Sequence, residues 1–175
     1  MSPEQYPRPD DAEYAPYYAG YVAKVPEGNI VEVVRAGGDE LCRALAAIPE
    51  EKGGYRYADG KWSVREVLGH LIDAERIFSY RVLRMARGDQ TPLASFDENE
   101  YARAAGSEAR TVAGLVEEMT VVRHSTVLML ASLPGESWSN RGTASGKSVS
   151  VRALAYITAG HAQHHLTVLR ERYGI

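Results

Sequence analysis

Four stretches of this chain repeat apolar residues every three or four positions, and none alternates with the two-residue period of a strand. That pattern restricts the fold to helices packed on helices. The first stretch follows Asn29, a plausible N-cap, and carries Ile30, Val33/Val34, Leu41, Leu45 and Ile48 before Pro49 stops it. Gly37-Gly38 interrupts it and marks a kink or a close helix contact. The second starts at a capping box, Ser63 with Glu66, and runs to about Arg87 before Gly88. Its inner face reads Val67, His70, Leu71, Ala74, Ile77/Phe78, Arg81 and Met85. Arg81, Arg84 and Arg87 crowd its last turns, where positive charge suits the helix dipole. The third spans about Ser107 to Ser132, with Val112, Leu115/Val116, Met119, Val122, Val127 and Leu130. The fourth runs from about Ser150 to Tyr173, with Val151, Leu154/Ala155, Thr158, His161/Ala162, His165 and Val168/Leu169 inward.

The connections set the topology. Residues 49–62 read as a polar loop, and residues 134–149, which include Trp138, as a Gly/Ser-rich loop. Residues 88–106 are long for a bundle connection and contain a short helix starting near Asp97. A segment of that length can run back along the bundle, so helix three can lie parallel to helix two. The expected fold is all-α: a four-helix bundle, up-down-down-up, with a long crossover between helices two and three.

Residues 1–26 form a separate stretch before the 27–175 bundle domain. They hold five of the eight prolines and five of the eleven tyrosines. The prolines exclude a long helix, and the tyrosines need somewhere to bury their rings. An irregular arm packed on the domain, or on a neighbouring subunit, is expected.

Composition narrows the function. Net charge is −3 with no long run of one sign, which argues against a nucleic-acid partner. No apolar run suits a signal peptide or a membrane span. Cys42 is the only cysteine, so neither an internal disulfide nor a cysteine-rich zinc site can form, in keeping with a cytoplasmic setting.

The chemistry lies in histidines. His161 and His165 are four apart, on one face of the fourth helix, as a metal-binding pair requires. His70 falls in the inward stripe of the second helix. One divalent ion would account for all three. His164 is rotated about 100° from His165 and reads as a neighbour of the site, although a His161/His164 pair also fits the spacing. His124 reads as a surface or packing residue. Glu66 and Asp73 flank His70 and are the weak catalytic candidates, able to orient an imidazole. A cap and a solvated face are their plainer readings.

The string Gly60-Lys61-Trp62-Ser63-Val64-Arg65-Glu66-Val67-Leu68-Gly69-His70-Leu71-Ile72-Asp73-Ala74-Glu75-Arg76 continues the pattern, with Ser150-Val151-Arg152 and Gly160-His161-x-x-His164-His165. With Arg87-Gly88-Asp89, Thr91-Pro92-Leu93, Phe96-Asp97-Glu98-Asn99 and the tyrosine-rich arm, it resembles the DinB superfamily, in particular its YfiT-like members. The resemblance implies an up-down-down-up bundle, often dimeric, with His70, His161 and His165 as ligands of one divalent metal ion. It implies metal-dependent hydrolysis, or transfer of a low-molecular-weight thiol such as bacillithiol or mycothiol. Many relatives carry an acidic residue after the first histidine of helix four, where this chain has Ala162.

The expected function is therefore a metal-dependent hydrolase or thiol S-transferase acting on a small molecule. Zinc or nickel comes first and iron or manganese next, since all accept imidazole. The alternative is a metal-stapled bundle that binds a small molecule without turnover. The expected partners are a small-molecule substrate and a second copy of the chain, with neither nucleic acid nor membrane.

Overall fold

Residues 6–175 are described by the computed structural model; residues 1–5, the start of the proline-rich stretch, lie outside them. Six helices and one hairpin follow in order: α1 (Ala19–Val22), α2 (Ile30–Ala46), α3 (Val64–Ala86), α4 (Glu98–Ala104), α5 (Val112–Ala131), β1 (Arg141–Ala144), β2 (Lys147–Ser150) and α6 (Val151–Tyr173).

The four long helices begin at side-chain caps. Asn29 accepts the Val31 amide at 2.9 Å, Ser63 the Glu66 amide at 3.1 Å, Thr111 the Gly114 amide at 3.1 Å and Ser150 the Ala153 amide at 3.0 Å. Each bond satisfies an amide that the helix itself leaves unpaired. At α3 the box closes, because the Glu66 carboxylate also accepts the Ser63 amide at 2.8 Å. The third long helix starts at Val112 rather than near residue 107, since Ser107–Ala109 forms a separate 3-10 turn.

Helices α2 and α3 each pack on both α5 and α6, which places α2 across from α3 and α5 across from α6. Two apolar clusters then fix the directions. One joins the start of α2 (Val31, Val34) to the ends of α3 and α5 (Val82, Met85, Leu130) and the start of α6 (Val151, Leu154). The other joins the end of α2 (Leu41, Leu45) to the starts of α3 and α5 (Val67, Leu68, Leu115) and the end of α6 (Leu166, Leu169). So α2 and α6 run one way and α3 and α5 the other: the up-down-down-up arrangement, with the α3–α5 connection crossing the bundle's length. Fully buried leucines such as Leu68 and Leu166 contribute roughly 2 kcal/mol each by leaving water.

Between the two clusters the core turns polar. Arg123 of α5 donates to Glu75 of α3 at 2.9 Å and to the Val34 carbonyl of α2 at 3.2 Å, with both side chains buried. The sequence pattern assigned Val122 to this stripe; Arg123 takes the inward position, continuing the four-residue step from Met119 to Val127. The guanidinium stem lies against Gly38, where a Cβ would come within 2.6 Å of Arg123 Cγ. Gly38 thus marks a close helix contact.

Residues 134–149 are more ordered than a Gly/Ser-rich loop. They form a 3-10 helix (Gly135–Ser139) and the antiparallel β1–β2 hairpin, which turns through Ser145-Gly146 with φ of 53° and 73°. Positive φ at both central residues matches the twist of a two-residue hairpin. Four-residue strands with little apolar alternation carry almost no strand signal, which is why the pattern missed them. The hairpin holds the crossover: the Leu93 amide donates to the Thr143 carbonyl and the Ser145 amide to the Leu93 carbonyl.

Residues 6–26 pack along α6. Tyr6 stacks on Trp138 with centroids 4.1 Å apart, and Tyr14 and Val22 are buried. Glu13 accepts from the Ser150 hydroxyl at 2.7 Å and from Arg152 Nε at 2.8 Å, at the N-terminus of α6.

Candidate metal centre

Halfway along the bundle, α3 and α6 face each other and bring three imidazoles together. His70 Nε2 and His161 Nε2 are 3.0 Å apart. His165 completes the group, and one ligand atom from each ring lies within 4.8 Å of the others. Ring centroids are 5.0 Å apart for His70–His161, 4.8 Å for His70–His165 and 4.5 Å for His161–His165.

Aromatic rings wall the group. Trp62 lies 4.7 Å from His70, and Phe78 and Tyr21 lie 5.4 and 5.5 Å from His161. Burial in these surroundings disfavours the imidazolium. His70 is pushed down to about 4 by burial and then by the charge of His164. His165 is pushed down to about 3 by burial and then by His70 and His164. His161 falls well below its usual value for the same first reason, reinforced by His165 and His70. At neutral pH all three rings are therefore neutral, each with one N–H and one lone-pair nitrogen, and one lone pair is shared in the His70–His161 contact.

Such a group suits a cation. A shared proton can join only two nitrogens, whereas a divalent ion can take one from each ring at about 2.0–2.1 Å. His165 Nδ1 is buried without a hydrogen-bond partner among the described residues, a loss that coordination of the ring would offset.

One side of the triad opens into a cavity of about 410 Å³ lined by His70 and His161. Its walls are Tyr17, Tyr18 and Tyr21 from the arm, Ala74, Phe78 and Arg81 from α3, residues 95–99 of the crossover, and Ser145 of the hairpin. Both covering segments approach at a glycine immediately before a histidine. At Gly69 a Cβ would fall 2.1 Å from Ser107 Oγ, and at Gly160 it would fall 2.0 Å from the Tyr21 carbonyl oxygen. At Gly160 the contact is with backbone and only glycine admits it. At Gly69 a larger residue would force Ser107 aside, so the two glycines let the arm and the crossover lie close on the helices that carry His161 and His70.

The other sequence candidates lie elsewhere. Glu66 is engaged by the cap and by Arg56 at 2.5 Å, and does not line the cavity. Asp73 also lies off the cavity wall, its carboxyl raised by burial and by Glu118 against the pull of Arg76. His164 is half-buried against Tyr21 (5.3 Å), beside the converging nitrogens. His124 is exposed on α5.

A sequence profile of the DinB superfamily matches residues 34–169, most of the bundle and all three histidines. The chain belongs to the DinB superfamily. It is 23% identical over 149 residues to a Geobacillus thermodenitrificans protein named "Putative metal-dependent hydrolase", covering 82% of this chain and 84% of that one. A Bacillus mycoides protein with the same name is 22% identical, covering 89% and 91%. Among solved structures, YfiT from Bacillus subtilis, described as a probable metal-dependent hydrolase with an unusual four-helix bundle topology, superposes with a TM-score of 0.73. The identity is 17%, and the match covers 96% of this chain and 94% of YfiT. A mycothiol-dependent maleylpyruvate isomerase superposes with a TM-score of 0.66 at 15% identity, over 78% of this chain and 58% of the isomerase. These likenesses show the shared fold.

Proposed function

We propose that this DinB-superfamily protein is a metal-dependent enzyme acting on a small molecule, with one divalent ion held by His70, His161 and His165. The observation that carries the reading is the convergence of three neutral imidazoles, two of which line a cavity. Bound there, the ion would lower the pKa of a water or thiol and polarise the bond under attack. The chain's own groups do the rest. The histidines hold the ion and leave its charge undiminished. Trp62, Phe78 and Tyr21 keep bulk water off it. The wall of Tyr17, Tyr18 and residues 95–99 confines the substrate.

Hydrolysis is the reading that the relatives' names support. Transfer of a low-molecular-weight thiol is the second, favoured by a feature of the site. Glu66 and Asp73 are both off the cavity, so a base to take a proton from water would have to come from the crossover, where Asp97 and Glu98 line the cavity and Asp97 is already engaged as a cap. A metal-ionised thiol needs no such base. The protein would act in the cytoplasm as a homodimer, as the single cysteine and the relatives' habit suggest.

Elemental analysis of protein purified without a nickel column tests the metal. About one ion per chain is expected, and the His161→Ala variant should lose it; unchanged content in that variant would refute the ligand set. With metal loaded, ester hydrolysis and conjugation of a glucosamine-linked thiol to an aryl halide separate the two chemistries. If chelation lowers the melting temperature while neither reaction occurs, the protein is a binding module.

A further inference from the structure

Arg81 is 3% exposed, yet no described carboxylate pairs with it. One terminal nitrogen, Nη2, donates to the Ala94 carbonyl at 2.8 Å and to Ser145 Oγ at 3.0 Å. Its Nε and Nη1 have no partner among the described residues. Unlike Nε of Arg65 and Arg123, they are not sealed from solvent; Arg81 lines the triad's cavity and also the neighbouring one bounded by Tyr80, Arg84 and Thr91. A guanidinium withdrawn from water without a counter-charge is costly, and its planar donor face matches a carboxylate. The other buried arginine of the bundle, Arg123, has Glu75. Ser145 adds a second sign of construction. It occupies a left-handed turn position that glycine fills more easily, and it supplies the hydroxyl that holds Arg81 in place.

Arg81 shares a cavity and a helix face with the triad. His70, Ala74, Phe78 and Arg81 follow one another along α3 and line the same space. Eleven residues separate His70 from Arg81, about 16 Å of axis at 1.5 Å per residue. Helical side chains tend to lean toward the helix N-terminus, which for Arg81 is the side of His70. Between the two, α3 contributes only the apolar Ala74 and Phe78 to the wall. Asp97 and Glu98 also line the cavity, but Asp97 caps the Asn99 and Glu100 amides and neither is paired with Arg81.

We propose that the cavity takes an extended carboxylate. Its anionic end is held by Arg81, its apolar middle lies along Ala74 and Phe78, and its reactive end meets the triad. This rests on the metal reading of the site and adds the substrate class.

Cobalt-substituted protein titrated with 6-mercaptohexanoate and with 6-mercaptohexanol tests it, with the thiolate-to-cobalt absorption band as readout. The carboxylate should bind roughly tenfold or more tighter than the alcohol, as expected for a charge-assisted hydrogen bond. Arg81→Gln should abolish that preference and Arg81→Lys should keep part of it. Equal affinities in the wild type, as when Glu98 swings onto Arg81, would overturn the proposal. A second measurement needs neither metal nor variant: hexanoate, but not hexanol, should shift the Arg81 Nε–H resonance of the metal-free wild-type protein. If neither thiol gives the band, the metal reading fails, and the resonance alone decides: a shift upholds the Arg81 site and no shift refutes it.

Discussion

Two polar groups interrupt the core of this bundle, and they are built on opposite principles. Glu75 and Arg123 join α3 to α5, and Arg123 reaches on to the Val34 carbonyl of α2. Opposite charges meet there, so the group is complete in charge within the chain, although Glu75 Oε1 and Arg123 Nε have no hydrogen-bond partner among the described residues. His70, His161 and His165 join α3 to α6 as three neutral rings whose lone-pair nitrogens converge and which have no counter-charge among them. That group suits an added cation. Burial alone therefore does not mark a functional site. The mark is a set of buried groups with converging lone pairs and no charge of their own, beside a cavity through which a partner can enter.

The largest expected effect breaks the complete group. Glu75→Ala strands the Arg123 charge among apolar side chains and should cost about 3–5 kcal/mol of stability in urea titration. Folded Glu75→Ala protein should still hold one ion per chain. His161→Ala should do the reverse, losing the ion while the metal-free protein keeps its stability. If Glu75→Ala abolishes metal binding in folded protein, the two groups are one network and the contrast fails.

Acid should separate the histidines from a second carboxylate–arginine pair, the one that ties the arm to α6. Arg152 and then Ser150 hold the buried Glu13 carboxyl down to about 2 against an ordinary 4.5, despite the opposing cost of burial. Its folded-state pKa is depressed, so its contribution is complete above about pH 4.5 and is lost as pH falls through 2. Allowing for water around the partly exposed Arg152, the loss is on the order of 2 kcal/mol. In metal-free protein the imidazoles act in an earlier window. Their depressed values favour the unfolded chain as pH drops below about 6.5, until His70 itself protonates near 4. Acid titration of metal-free protein should show two steps, and Glu13→Gln should remove only the lower one. A single step unchanged by Glu13→Gln would show that the arm contact contributes nothing to stability.

Much of this was legible in the chain and some was not, for physical reasons. The helices and their caps are local: Asn29, Ser63 and Ser150 each announce a helix start in three or four residues, and the apolar period announces its face. The triad was legible because His161 and His165 lie four apart on one helix and His70 falls within an apolar stripe. The hairpin was not, because its strands are four residues long and mostly polar. Arg81 was legible as part of the inner face of the second helix, but its partners were not, since a cation in the last turns already has a local explanation in the helix dipole. Ala94 and Ser145, which accept from it, are brought near only by the folded crossover and hairpin. The adjacent pairs Gly69-His70 and Gly160-His161 were a signal available in the sequence. A glycine beside a buried histidine on each of two helices marks where other segments lie close on the site.

The smallest effect concerns how α3 presents His70. The Ser63–Glu66 box begins that helix seven residues before the histidine, and Glu66 also pairs with Arg56. Ser63→Ala removes the bond to the Glu66 amide and should cost about 1 kcal/mol. A cap sets where a helix starts, but the seam between Val67, Leu71 and their partners sets its rotation. His70 should thus keep its aim, and metal stoichiometry should stay at one per chain while the melting temperature falls by roughly 3 °C. Measured together, the two quantities show whether the site is positioned by the bundle's packing or by the local cap. A loss of metal out of proportion to the small loss of stability would assign that role to the cap. The complete and incomplete groups would then differ in how they are positioned as well as in what they lack.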